Sequence, residues 1–200
     1  MTAIETHEQS ETGRPLRADA RRNRERILES ALAAFAERGP DAQIDDVARH
    51  AGVGVGTVYR HFPTKEALLT ELVRQKFRLF ADRALEALEA LEAGGEPFAA
   101  LEGLMRQNAA SAADDMGLKY AIASAGEEAW TQARAEREEL IGLTAELLER
   151  ARRAGTIRPD IEATDIAMLM CGVCTSMGPR PGFDWRRHLD LVVDVLRPRG

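Results

Sequence analysis

The run from Ile44 to Pro63, IDDVARHAGVGVGTVYRHFP, constrains the fold more than any other part of the chain. Gly52 interrupts two short apolar-periodic stretches, and Pro63 closes the second. A steep packing of two short helices makes fixed demands at fixed spacing. A small residue must sit where the helices cross, and Ala48 stands there. Four residues on, the turn needs a positive φ, which Gly52 adopts without steric cost. Six further on, an apolar anchor must point back from the second helix, and Val58 fills that position. Val47, Ala51 and Val53 supply the remaining inward positions. The pattern predicts a helix-turn-helix with its second helix over about 55–62.

With Val58 and Phe62 turned inward, Val55, Gly56, Thr57, Arg60 and His61 face out, flanked by Tyr59. Small, hydroxylic, aromatic and cationic groups on one short helix suit a major groove. Arg60 is the long donor at the centre of that surface. It can reach guanine O6 and N7 or a phosphate, and the sequence leaves the two open. The charge distribution is consistent with DNA contact at this end. Residues 13–65 carry 10 basic and 7 acidic groups, whereas residues 66–200 carry 17 and 23. A basic end on an acidic body suits local anion binding.

The run Ala51-Gly52-Val53, then Gly56-Thr57-Val58-Tyr59-Arg60-His61-Phe62-Pro63-Thr64-Lys65-Glu66-Ala67-Leu68, resembles the DNA-binding signature of the TetR family of regulators. The likeness extends over about 45 residues, back through the helix that opens near Arg26. Ala154-Gly155-Thr156-Ile157-Arg158-Pro159-Asp160 resembles a turn in the ligand-binding half of that family. The resemblance implies that Thr57, Tyr59, His61 and Lys65 hold the DNA backbone. Gln43 stands at a helix start where the family often has threonine. Gly54 and Val55 stand where it often has serine and a small or polar residue, which leaves fewer hydrogen bonds available. Arg22 belongs to a basic stretch (Arg14, Arg17, Arg21, Arg22, Arg24, Arg26) that reads either as a solvated face or as an arm tracking phosphates.

Elsewhere the periodicity is helical throughout, and the expected class is all-α: a three-helix DNA-binding domain joined by a long helix to a helical ligand-binding and dimerisation domain. The expected boundaries are a disordered basic arm over 1–17, the DNA-binding domain over 18–64 and the second domain over 65–200. Helices are expected from Asp19 to Gly39-Pro40, and over 43–50, 55–62, Thr64 (as N-cap) to about 91, 97–113, 116–125, 127–153, 164–177 and 184–196.

The two terminal helices each carry more apolar surface than one core requires. One face then packs inward, and Leu169, Val173, Met177, Leu191 and Val195 are expected to meet a second copy of the chain. The family pattern of a four-helix dimer bundle agrees. Resemblance also implies a small-molecule pocket in the middle region, for which Met105, Asn108, Met116, Tyr120, Trp130 and Met170 are the candidates; core packing accounts for these residues as well.

Cys171 and Cys174 lie in an apolar helix with no histidine at ligand spacing, so neither a disulfide framework nor a metal is expected, and no cofactor. No phosphate-binding loop, dinucleotide fingerprint or nucleophile elbow is present, which argues against an enzyme. The polar N-terminus and the lack of an apolar run near ~20 residues point to a cytoplasmic protein without membrane contact. The expected function is a regulator, repressing from a palindromic DNA operator as a homodimer until a small-molecule effector binds. The alternative is a DNA-binding regulator or architectural protein without ligand control.

Overall fold

A computed structural model describes residues 13–177 and 184–198. Among these the regular structure is entirely helical. α1 (Gly13–Arg38) is followed by a 3-10 turn at Gly39–Asp41, then α2 (Ile44–Ala51) and α3 (Val55–His61). α4 (Lys65–Glu92) is the longest element and at 28 residues spans roughly 40 Å. The remainder comprises α5 (Pro97–Asp114), α6 (Met116–Ser124), α7 (Glu127–Gln132), α8 (Arg134–Arg153), α9 (Ala163–Ser176) and α10 (Trp185–Leu196).

Two main cores form. The first joins α1, α2, α3 and the opening turns of α4 through Ile27, Phe35, Val47, Val58, Phe62, Leu68 and Leu72, all fully buried. Each such side chain contributes about 1.5–3 kcal/mol relative to exposure. The second joins α5, α8, α9 and α10 through Leu101, Met105, Leu148, Val173, Leu189 and Leu196. α4 belongs to both halves, since its later turns pack against α5 and α8 around Ala84, Leu104 and Leu147.

α6 is an element of the second half by sequence, yet it packs on α1. Gly117 makes this possible, because a Cβ built there would fall 2.0 Å from the Leu32 carbonyl oxygen. The two backbones therefore touch with no side chain between them. Tyr120 and Leu118 of the same helix pack on the first core.

The helical breaks follow their local chemistry. Thr64 caps α4 by accepting the Ala67 N–H at 3.0 Å. Asp115 caps α6 by accepting the Leu118 N–H at 2.7 Å. Two expectations need correction. α1 begins at Gly13, inside the stretch expected to be disordered; residues 1–12 of that stretch lie outside the described residues. The single helix expected over 127–153 is two, α7 and α8, hinged at Ala133 with φ −88° and ψ 13°. No glycine or proline marks that hinge. It sets Trp130 of α7 edge-on to Phe77 of α4, with ring centroids 6.0 Å apart. Tertiary packing thus outweighs the local helix preference. Among the described residues no helix is long and apolar enough to cross a membrane.

Candidate nucleic-acid interface

The surface is built around Gly52. With φ 63° and ψ 33° it occupies the left-handed region, and its N–H reaches the Arg49 carbonyl at 3.2 Å while the Val53 N–H reaches that of Ala48 at 3.1 Å. These bonds close α2 and redirect the chain. Gly54, at φ −68° and ψ 145°, opens α3, its carbonyl accepting the Thr57 N–H at 2.8 Å. Ala48 and Val58 are buried at the crossing, as the spacing predicts.

α3 then projects its other side to solvent. Gly54, Val55, Gly56, Tyr59 and Arg60 are exposed, Tyr59 to 47%, while Thr57 and His61 are half-buried. The Arg60 guanidinium donates to Thr57 Oγ1 at 2.9 Å, so the arginine lies along its own helix. A shallow depression beside Tyr59 is lined by Gln43, Asp45, Thr64 and Lys65. The Gln43 amide donates to the Asp41 carbonyl at 2.9 Å. Lys65 is half-buried, its ammonium 3.4 Å from the Pro40 carbonyl and 5.6 Å from the Phe35 ring centroid. Both groups are thus engaged with their own chain. Asp45 adds a carboxylate to the depression that the sequence reading did not weigh.

Behind this face, the buried Asp46 carboxylate accepts the Gln43 N–H at 2.9 Å and pairs with Arg49 at 2.9 Å and Arg38 at 3.0 Å. The Gln43 N–H, then Arg49 and Arg38, hold its pKa below the ordinary aspartate value despite burial. This fixes the start of α2 beneath the depression.

The basic stretch of α1 divides. Arg22 is exposed and pairs with Asp19, and Arg21 pairs with Glu25. Arg24 instead turns inward, 4.8 Å from the Phe62 ring centroid and 3.0 Å from Glu71 of α4. Glu71 also meets Arg78 at 3.2 Å, Arg78 meets Glu136 of α8 at 3.4 Å, and Arg74 meets Glu136 at 2.5 Å. A file of ion pairs thus runs from α1 through α4 to α8. Burial works to raise the Glu136 pKa, but the Arg74 and Arg78 bonds outweigh it and hold the group below the ordinary glutamate value. Sequence spacing gave no sign of the pairs that join different helices, whose partners lie far apart in the chain.

The six residues expected to line a pocket are distributed. Met105 is buried in the second core, and Met170 packs on it. Asn108 is buried and accepts a hydrogen bond from Arg83 at 3.1 Å. Met116 is half-buried on α6, and Trp130 rests against Phe77. Tyr120, one turn after Met116 on α6, packs on the first core beside Gly39.

The residues expected at a dimer interface divide similarly. Leu191 and Val195 are 56% and 50% exposed. Val173 is fully buried in the second core and offers no surface, while Leu169 and Met177 pack on that core, half-buried. The exposed side of α9 is instead Met168, at 74%, with Cys171, Gly172 and Thr175. The stripe assigned from sequence is displaced by one residue, about 100° around the helix. An almost uniformly apolar helix gives no phase by which to set it.

Comparison with known proteins agrees with this architecture. The family described as "Bacterial regulatory proteins, tetR family" matches residues 27–72, and "Transcriptional regulator SbtR-like, C-terminal domain" matches residues 96–198. A crystal structure of a TetR transcription regulatory protein from Mycobacterium vanbaalenii is 38% identical, with 92% of this chain and 100% of that one covered and a TM-score of 0.65. A TetR regulator from Streptomyces coelicolor is 34% identical over 88% of this chain and 99% of its own, with a TM-score of 0.60. The transcriptional repressor KstR of Mycolicibacterium smegmatis is 38% identical over 100 residues, 49% of this chain and 46% of that protein. The chain thus spans about half the length of the curated relatives it matches. The helix-turn-helix, the helical second half and these matches along both make the chain a member of the TetR family of DNA-binding transcriptional regulators, which are not enzymes.

Proposed function

We propose that the protein is a repressor that binds a palindromic operator as a two-fold dimer and is released by a small molecule bound in its second half. The observation that carries this reading is α4. Its first turn lies at the DNA-facing depression, and its later turns lie in the second half against α5 and α8. A helix that enters both regions couples them whenever the second half has two arrangements.

The exposed apolar side chains Met168, Leu191 and Val195 support a symmetric dimer, which would read an inverted repeat. In that complex Tyr59, Thr57, His61, Gln43 and Lys65 hold phosphates, with Arg22 beside them. Gly54, Val55 and Gly56 bring the α3 backbone close to the groove, and Arg60 reads a base once it leaves Thr57. Among the pocket candidates, Asn108 meets Arg83 of α4, Trp130 meets Phe77 of α4, and Met116 and Tyr120 belong to α6.

The test is titration of the purified protein onto fragments of its own promoter, followed by candidate effectors. An effector must bind the DNA-free arrangement better, and a coupling of about 1–3 kcal/mol lowers operator affinity some 5- to 150-fold. Operator DNA must weaken effector binding by the same factor. A regulator without ligand control would bind its promoter unchanged by every effector offered.

A further inference from the structure

The depression beside Tyr59 is lined from two helix starts, by Gln43, Ile44 and Asp45 at α2 and by Pro63, Thr64 and Lys65 at α4, and it encloses about 430 Å³. Helix starts favour an anion, and Lys65 adds a cation to them. Asp45 is out of keeping with these surroundings. Its residue is exposed, and its carboxylate forms neither a hydrogen bond nor an ion pair among the described residues.

Two cations placed to neutralise it turn elsewhere. Arg49 stands four residues on along α2, the spacing of an ion pair, yet it bonds to Asp46 at 2.9 Å. The Lys65 ammonium shares the depression with Asp45 but lies 3.4 Å from the Pro40 carbonyl. Nor does α2 depend on Asp45 for its cap, because the Asp46 carboxylate accepts the Gln43 N–H at 2.9 Å. Asp45 contributes to that helix only a negative charge at its positive end.

We propose that Asp45 is a repulsive element of the DNA-reading surface, which lowers the affinity of the depression for a backbone phosphate and so limits capture of DNA irrespective of sequence. This rests on the reading that Tyr59, Gln43 and Lys65 hold a phosphate there. A phosphate seated in so small a space lies within one Debye length of the carboxylate, about 8–10 Å. Across water at such separations, two like charges change affinity roughly two- to fivefold for each depression that meets DNA. Phosphate contacts carry no sequence information, so holding them down leaves a larger share of the binding to the base contacts of α3.

The test uses full-length protein titrated onto a fluorescent duplex of random sequence and onto fragments of its own promoter, across a series of potassium chloride concentrations. Asp45→Asn keeps the shape and removes the charge, whereas Asp45→Glu keeps the charge. Asp45→Asn should bind both DNAs more tightly at low salt, roughly two- to fivefold per depression. Its salt slope should be steeper, the reverse of Lys65→Ala. Asp45→Glu should bind as the wild type does. The thermal midpoint of Asp45→Asn should not rise, since an acid leaves the positive end of α2, and a firmer fold then cannot account for tighter binding. Unchanged or weaker binding of random DNA by Asp45→Asn would overturn the proposal. So would an altered preference at a single base pair, which would make Asp45 a reader of cytosine N4. Weaker binding by Lys65→Ala with no change in Asp45→Asn would keep the phosphate seat and refute the repulsion. Tighter binding by Asp45→Asn with no change in Lys65→Ala would keep the repulsion and refute the seating of a phosphate on Lys65.

Discussion

Glu136→Gln isolates the far end of the ion-pair file. Glu136 is buried, and its Oε1 accepts from Arg74 Nε at 2.5 Å and Arg78 Nη2 at 3.4 Å. Breaking a buried pair costs about 3–5 kcal/mol when the abandoned charge stays buried. Here the abandoned charges belong to Arg74 and Arg78, whose side chains are 40% and 44% exposed and regain water. The loss then falls toward that of one charged hydrogen bond, about 1.5–3 kcal/mol. Glutamine keeps the volume and one acceptor. It also neutralises Oε2, which is buried without a partner. These offsets bring the expected cost to about 1–2 kcal/mol, read as a lower urea midpoint at constant slope.

The pH dependence has a definite sign. The folded pKa of Glu136 is depressed, so its contribution is complete above the unfolded glutamate value of about 4.3. It fades as pH falls through the lower folded value. The variant should therefore lose less stability than the wild type between about pH 5 and pH 3. Arg24→Met is the partner in a double-mutant cycle, since Arg24 reaches Glu136 only through Glu71 and Arg78. Additivity within about 0.3–0.5 kcal/mol would show that the file does not act as a unit. An unchanged or raised midpoint in Glu136→Gln alone would refute the energetic argument itself.

Three further outcomes are expected. Tyr59→Ala and Lys65→Ala should weaken binding to all DNA sequences, each lowering the salt slope by about 0.9, whereas Arg60→Ala should relax preference at one base pair by about 1–3 kcal/mol in a competition assay. Gly52→Ala should cost about 1–2 kcal/mol by urea unfolding because of its positive φ, while Gly56→Ala, in open space within α3, should stabilise by up to about 1 kcal/mol yet weaken operator binding in a mobility-shift assay. Val195→Glu should give monomers with unchanged helicity by light scattering and circular dichroism, and a dimer would place the interface elsewhere.

The turn at Gly52, the crossing at Ala48 and Val58, and the Thr64 cap were all legible, because each is a local requirement met by a particular residue at a fixed distance. So were the helix ends expected at about 91 and at 153, after which Gly94 and Gly155 have φ of 96° and 68°. The hinge at Ala133 was not, because alanine favours helix and the break goes with the packing of α7 on α4, the Trp130–Phe77 contact included. Nor was the orientation of Tyr120, or of Arg24, since each depends on a partner helix that local periodicity does not identify. The outer face of α9 failed for another reason: apolar residues surround the helix, and the side that stays uncovered is decided by what packs on the other.

Gly117 has a consequence for exchanging parts between relatives. Residue 64 looks like a natural seam for grafting one regulator's DNA-reading head onto another's sensing body. Such a graft would set a foreign first helix against α6, where a single missing methyl group lets two backbones meet at Leu32. A body with alanine at that position would lift the new head away from α4 and tilt its reading helix in the groove. The inheritable unit is therefore the head together with α6, although some fifty residues separate them in the sequence. Chimeras of this chain should be cut so that the residues meeting at Gly117 and Leu32 come from the same parent.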